Sequence, residues 1–223
     1  MNRYRITFTR DSSVRFVGHL DLVKTWERIL RRADLPVAYS QGFHPLPKIT
    51  FASALPVGCT GEAELMDVVL AEPLDPAAML LRLTPTLPAG IGIASIVEAP
   101  LNAPALQAEL RWAEYEIEVE VEAEAEAESR VQTLLAATTV MRERRGKSYD
   151  LRPLVLALAI QDVSSSSVRL VMRLKADAAA GTGRPDEVLA ALGWGAAPAR
   201  IHRRVLGFTA SVNGLSPAVE FSV

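Results

Sequence analysis

Residues 39–48, Tyr-Ser-Gln-Gly-Phe-His-Pro-Leu-Pro-Lys, gather the side chains best suited to binding chemistry in this sequence. A glycine and two prolines restrict the backbone there, which lowers the entropy cost of holding a site. Tyr39, Phe43 and His44 suit stacking on unpaired bases, Ser40 and Gln41 suit reading base edges, and Lys48 completes the set as an RNA contact. The architectural alternative has Tyr39 and Phe43 anchoring a long loop on the core, with His44 satisfying a local hydrogen bond. Gly42 and Pro45 are expected to turn adjacent side chains to opposite sides, which makes Phe43 mainly structural and His44 mainly functional.

A second candidate lies on the helix that the apolar period predicts over residues 20–33. Lys24, Arg28 and Arg31 follow one another at i, i+4 and i+7, so three cations fall within about 10 Å on one exposed face. Such a row suits a phosphate backbone, and it equally suits plain solvation. His19 and Asp21 open the helix. Together with His44 they could activate a 2′-hydroxyl and cleave RNA without a metal, whereas the architectural reading bonds His19 to Asp21 as a cap. Further cations cluster at Arg142, Arg144, Arg145 and Lys147, and at Arg169, Arg173 and Lys175 with Arg203 and Arg204. Residues 181–187 form a glycine turn feeding a helix with proline first. The Gly-Lys-Ser/Thr of a phosphate loop is missing and Asp186 and Glu187 would repel an anion, so this reads as a helix start beside the cation Arg184. Asp150 and Arg152 either pair with each other or touch a ligand. Glu114, Glu116, Glu118 and Glu120 give one strand an acidic face on which a basic protein could dock.

These residues sit in a chain of 223 with 24 Lys plus Arg, 26 Asp plus Glu and 49% hydrophobic residues, a composition that excludes general disorder. The net charge of -2 hides an uneven distribution. Residues 1–50 hold nine basic and four acidic side chains, 51–130 three and fifteen, and 131–223 twelve and seven. Two basic blocks therefore flank an acidic one, which can give a positive face to a nearly neutral protein. Cys59 is the sole cysteine and His19, His44 and His202 are scattered, so no metal, iron-sulfur cluster or other cofactor is expected in this chain. No apolar run is long enough to span a membrane, and the start is a basic alternating strand; a cytoplasmic protein is expected.

The positioning elements follow from periodicity. Period two marks strands over 3–9, 64–70, 91–97, 111–121, 138–144, 154–160, 168–175 and 201–208, with an apolar stretch over 49–57 entering a further one. Helices are predicted over 20–33, 73–83, 124–137 and 185–192. Both halves read β-α-β-β-α-β, the second with an extra strand. The expected fold class is α+β, two tandem ferredoxin-like sandwiches, with domains 1–100 and 101–223 joined through a linker over 99–104.

Several motifs carry a family resemblance. Arg15-Phe-x-x-His-Leu-Asp21, Glu27-Arg28-x-x-Arg31-Arg32-Ala33, Leu35-Pro36, Tyr39-Ser-x-Gly-Phe-x-Pro45-x-Pro47, Tyr149-Asp-x-Arg-Pro153 and Gly183-Arg-Pro185 resemble the radical-SAM-linked proteins, and the match spans nearly the whole chain. Members of that family extend a radical SAM protein or stand beside one, and this chain corresponds to the separate form. The resemblance implies a radical SAM partner that holds the iron-sulfur cluster and the S-adenosylmethionine; it implies no reaction for this chain. The two-domain outline is also similar to CRISPR repeat-processing endoribonucleases, which grip an RNA hairpin. The leading expectation is an accessory RNA-binding module that recruits tRNA or ribosomal RNA for the radical SAM enzyme. Its contacts would be Arg15, Lys24, Arg28, Arg31, Tyr39, Gln41, Phe43, His44, Lys48, Arg145, Arg152 and Arg184. The alternatives are a metal-independent endoribonuclease using His19, His44 and Asp21, and a protein-binding adaptor without nucleic acid.

Overall fold

The computed structural model describes residues 1–121 and 124–209, apart from the side chains of 124 and 125, and these residues form two compact units, Met1–Glu109 and Leu110–Thr209. In the first, β1 (Asn2–Arg10) buries Tyr4, Ile6 and Phe8 and turns Arg3, Arg5 and Thr7 the other way, as period-two alternation requires. Helix α1 (His19–Arg32) lays Leu22, Trp26, Ile29 and Leu30 into that core, with the Trp26 ring edge-on to Phe8 at 5.1 Å. It ends at Ala33, and Asp34 adopts a φ of 52°, the left-handed turn that commonly closes a helix.

The first unit continues through β2 (Ile49–Phe51), β3 (Cys59–Leu70), α2 (Pro76–Leu83), β4 (Ile91–Ala99) and the short α3 (Leu106–Glu109). Asp75 caps α2 by accepting from the amides of Ala77 and Ala78, and Pro76 occupies the first turn, where its missing N–H costs nothing. The strands of this unit pair antiparallel in the order β4-β1-β3-β2, with Ile6 opposite both Met66 and Ile96.

The second unit comprises β5 (Leu110–Glu120), α4 (Glu124–Ala136), β6 (Met141–Arg144), β7 (Lys147–Asp150), β8 (Val155–Val163), β9 (Ser167–Asp177), β10 (Gly181–Thr182), α5 (Pro185–Ala191) and β11 (Ala199–Phe208). Its strands pair antiparallel in the order β11-β5-β9-β8, and β10 also pairs with β9. Ala113, Tyr115, Ile117 and Val119 are buried on the inner side of β5, as are Ala127, Val131 and Leu134 of α4.

Two tandem ferredoxin-like sandwiches are not what the chain builds. It has a mixed α/β fold of mostly antiparallel strands, with β6 and β7 forming a two-stranded ribbon of their own. Alternation reveals which face of a strand is buried. It is silent on where a sheet ends, because any edge strand offers unpaired backbone groups to another strand. The expected strand over 138–144 shrinks to Met141–Arg144 and belongs to the ribbon. There Arg145 and Gly146 both take positive φ (52° and 73°), the two-residue turn whose twist suits a tight hairpin. The run of cations around it masked the turn signal.

Candidate nucleic-acid interface

The approach to α1 is held from below. Arg10, buried beneath it, donates from Nη2 to the carbonyl oxygens of Val14 and Val17 at 3.0 and 2.8 Å, and Leu22 N–H reaches Gly18 O at 2.9 Å to close the first turn. Asp11 accepts from the Ser13 hydroxyl (2.6 Å) and amide (2.8 Å), and these bonds hold its carboxyl below the usual carboxylate range. Arg15 stacks its guanidinium 4.8 Å from the ring centre of the exposed Phe16. A rigid entry of this kind fixes the rotation of the helix, and with it the direction of the polar face.

On that face Lys24, Arg28, Arg31 and Arg32 are all exposed. Among the described residues none of the four makes an ion pair, although Asp21 and Glu27 lie on the same helix. Their charge is therefore available to a partner.

The 39–48 loop is an irregular hairpin strapped to the end of the sheet. Ala38 N–H bonds to Val69 O (2.8 Å), Val69 N–H to Lys48 O (3.0 Å) and Lys48 N–H to Ala38 O (2.8 Å). Above this base Tyr39 bridges to Pro47, Ser40 N–H reaches Leu46 O, and the Ser40 hydroxyl accepts from Leu46 N–H at 3.0 Å. Gly42, with a φ of 136°, turns the chain at the tip, a backbone region that side chains rarely adopt. Phe43 is 94% exposed and Tyr39 50%, and the Phe43 and His44 rings meet edge-on at 4.9 Å. The expected core-anchor role of Phe43 is thus corrected: the hairpin is held by its own backbone bonds, and Phe43 stands in solvent beside His44. Phe43→Ala and His44→Ala should each weaken binding of unpaired RNA by about 1–3 kcal/mol. Both should leave Tm within a degree or two, and thermal melts beside binding isotherms check the pair of results.

Among the described residues His19 and His44 share no hydrogen bond or ring contact. His19 opens α1, half-buried and edge-on to Phe51 at 5.4 Å, and shares no hydrogen bond with Asp21. The loop is tied to Ala38, Val69 and Lys48, and within it the His44 ring packs on Phe43. Arg28, Arg31 and Arg32 lie in the last turns of α1, the end from which the chain leads on to the loop.

At the base of the hairpin, on the sheet face turned away from α1, a pocket of about 250 Å³ is lined by Arg3, Lys48, Thr50, Asp67, Val69 and Ala105. Arg3 and Thr50 escaped the reading of the sequence. The only trace of them was the polar side of an alternating strand, which any solvated sheet face shows.

The cations of the second unit are differently employed. Arg152 donates from Nε and Nη2 to Leu135 O (3.2 and 3.1 Å), near the end of α4, and from Nη1 to Val155 O (2.9 Å). Asp150 accepts from the amides of Val140 and Arg152. These two motif residues therefore bond backbone rather than each other. Losing the charged bonds of Arg152 at about 1.5–3 kcal/mol, Arg152→Ala should lower Tm by about 3–12 °C in a calorimetric scan. Tyr149, three residues before Arg152 and in the ribbon, has its phenol pushed above the usual value by burial and then by the neighbouring Glu187 carboxylate. Arg184 pairs with Asp186 at 3.0 Å, and Arg145 is exposed at the ribbon turn. The acidic row of β5 is met by cations across the sheet, Glu114 by Arg173 (2.9 Å) and Glu118 by Arg200 (3.0 Å). Arg173 also lies 4.2 Å from the ring centre of Trp112, and Gly207 opposite leaves room for that indole.

Among the described residues no group of three or more His, Cys, Asp and Glu is placed to hold a metal ion, and no helix is long and apolar enough to cross a membrane. A family model described as an uncharacterized protein conserved in bacteria (DUF2344) matches residues 3–185. No curated protein matches the chain. Among solved structures, a chain of a Cbf5-Nop10-Gar1 complex is 12% identical with a TM-score of 0.50, over 92% of this chain and 49% of that one. A chain of an H/ACA RNP bound to a substrate RNA containing 2′-deoxyuridine is also 12% identical, with a TM-score of 0.48, over 92% and 46%. The protein spans about half the length of these two solved chains, and at this identity the first likeness is one of fold. It runs along 92% of the chain, in keeping with the correction from paired sandwiches.

Proposed function

We propose, for a chain that belongs to the uncharacterised bacterial family DUF2344, an accessory RNA-binding role in which it recruits a substrate RNA to a radical SAM enzyme for modification or maturation. The observation that carries the RNA part is the pairing of two features in one unit: four unpaired cations on α1 and a braced hairpin that holds Phe43 and His44 in solvent. Cations without carboxylate partners suit a phosphate backbone, and solvent-held rings suit unpaired bases. Phe43 is not a lone exposed apolar residue: Tyr39 and Leu46 of the same hairpin are exposed with it, and clustered apolar exposure favours an interaction site. The radical SAM part rests on the motifs from Arg15 to Pro185, and any cluster and S-adenosylmethionine belong to that partner.

The other readings have less support. A ribonuclease built on His19 and His44 needs the two to act together, and they share no contact: His19 packs on Phe51 and His44 on Phe43. An adaptor docking through β5 needs a free acidic face, and Arg173 and Arg200 neutralise part of it. The test is crosslinked-RNA sequencing from cells with and without the radical SAM protein, joined to a salt titration of binding to the recovered RNA. Enrichment of one RNA class, with affinity falling steeply as salt rises, is expected. No RNA recovered, or binding indifferent to salt, would overturn the reading.

A further inference from the structure

We infer that the pocket beneath the hairpin receives a terminal phosphate of the RNA strand whose unpaired bases the hairpin stacks, an inference that rests on the RNA reading above. Of the groups lining it, Asp67 is the one carboxylate, and it is already engaged: Arg5 Nε and Nη2 bond its two oxygens at 2.9 and 3.0 Å. The single Asp67 carboxylate thus faces Arg5, the more distant Arg3 and the Lys48 ammonium, so positive charge is in surplus at the pocket. Arg3 lies 4.0 Å from Asp67 Oδ2 and is steadied by a 2.7 Å bond from Nη1 to Ala103 O, so its fork is held in place before any ligand arrives. Lys48 Nζ has the Met1 sulfur as its neighbour at 3.9 Å, and the Thr50 hydroxyl makes no hydrogen bond among the described residues.

A fork, a point charge and a hydroxyl thus converge on one cavity. An internal phosphodiester offers a single charge, whereas a phosphate monoester carries about -1.5 to -2 at neutral pH and presents three acceptor oxygens. Two surplus cations and a hydroxyl match the monoester. The location agrees with the chemistry. Lys48 and Thr50 stand where the loop rejoins the sheet, and Pro47, the residue before Lys48, is bridged to Tyr39. A phosphate seated here puts the first nucleotide against the base of the hairpin, with the following bases directed toward Phe43 and His44.

One oligoribonucleotide sequence, prepared with a 5′-phosphate, with a 3′-phosphate and with hydroxyls at both ends, tests this in equilibrium binding to the full chain. One phosphorylated form should bind about tenfold or more tightly than the hydroxyl-ended form, the gain expected of charge-assisted hydrogen bonds, and which form does so identifies the end recognised. Thr50→Val and, separately, Arg3→Gln should each remove most of that preference while changing the affinity for hydroxyl-ended RNA less than about twofold. Equal affinity for all three forms, or a preference that survives both substitutions, overturns the pocket assignment and leaves the RNA reading standing. Binding of none of the three overturns the RNA reading and this inference with it.

Discussion

Replacing Lys24, Arg28 and Arg31 together by glutamine lowers affinity for single-stranded RNA by two to three orders of magnitude at 50 mM salt. The size follows from counterion release: each lost phosphate contact removes about 0.7 from the slope of log affinity against log salt, so three remove about 2. From a 1 M reference, where that contribution vanishes, 50 mM lies about 1.3 decades lower, and the product is about 2.7 decades. Folding should not change, because the three side chains are exposed and make no ion pair among the described residues. Affinity measured at four or five salt concentrations on the wild type and the triple variant checks both slope and offset. An unchanged slope would remove α1 from the interface.

Asp67→Ala should strongly destabilise the first unit. Arg5 and Asp67 are 4% and 5% exposed, and among the described residues the two bonds to Asp67 are the side-chain bonds that compensate the buried Arg5 guanidinium. Removing the carboxylate strands that charge, a loss of about 3–5 kcal/mol, which in a chain of this size lowers Tm by about 6–20 °C. The double variant Arg5→Met with Asp67→Val separates charge from packing. Replacing both ions by apolar groups of similar bulk should restore most of the stability, since a buried pair contributes little beyond compensating its own desolvation. Calorimetric melts of the single and double variants decide it; a double variant as unstable as the single would mean that shape, not charge, sets the cost.

Neither partner of that pair was singled out by residue type. Arg5 was one of the polar residues of an alternating strand, and Asp67 interrupted an apolar run; only the antiparallel register, which sets Arg5 opposite Asp67, makes them a unit. The same holds across β5, where the row of glutamates reads as a free acidic face until β9 and β11 bring Arg173 and Arg200 beside it. Phe43 is the opposite case. Its type suggested a core anchor, yet backbone bonds among Ser40, Leu46 and Lys48 carry the loop without it.

Local interactions were legible in the chain itself. The apolar stripe of α1, the Asp75-Pro76 start of α2, the alternation of β1 and β5 and the cation spacing from Lys24 to Arg31 all arise between residues a few positions apart, where period and capping chemistry act directly. Tertiary structure alone decided the rest: that β6 and β7 form a ribbon of their own, that His19 packs on Phe51 and His44 on Phe43, which cations are spent on Leu135 and Asp186, and that Arg3, Lys48 and Thr50 share a pocket. The contacts of His19, of Leu135 and of the pocket join residues far apart in the chain. Such contacts are set by packing and strand register, to which a local pattern contributes the buried face and nothing more.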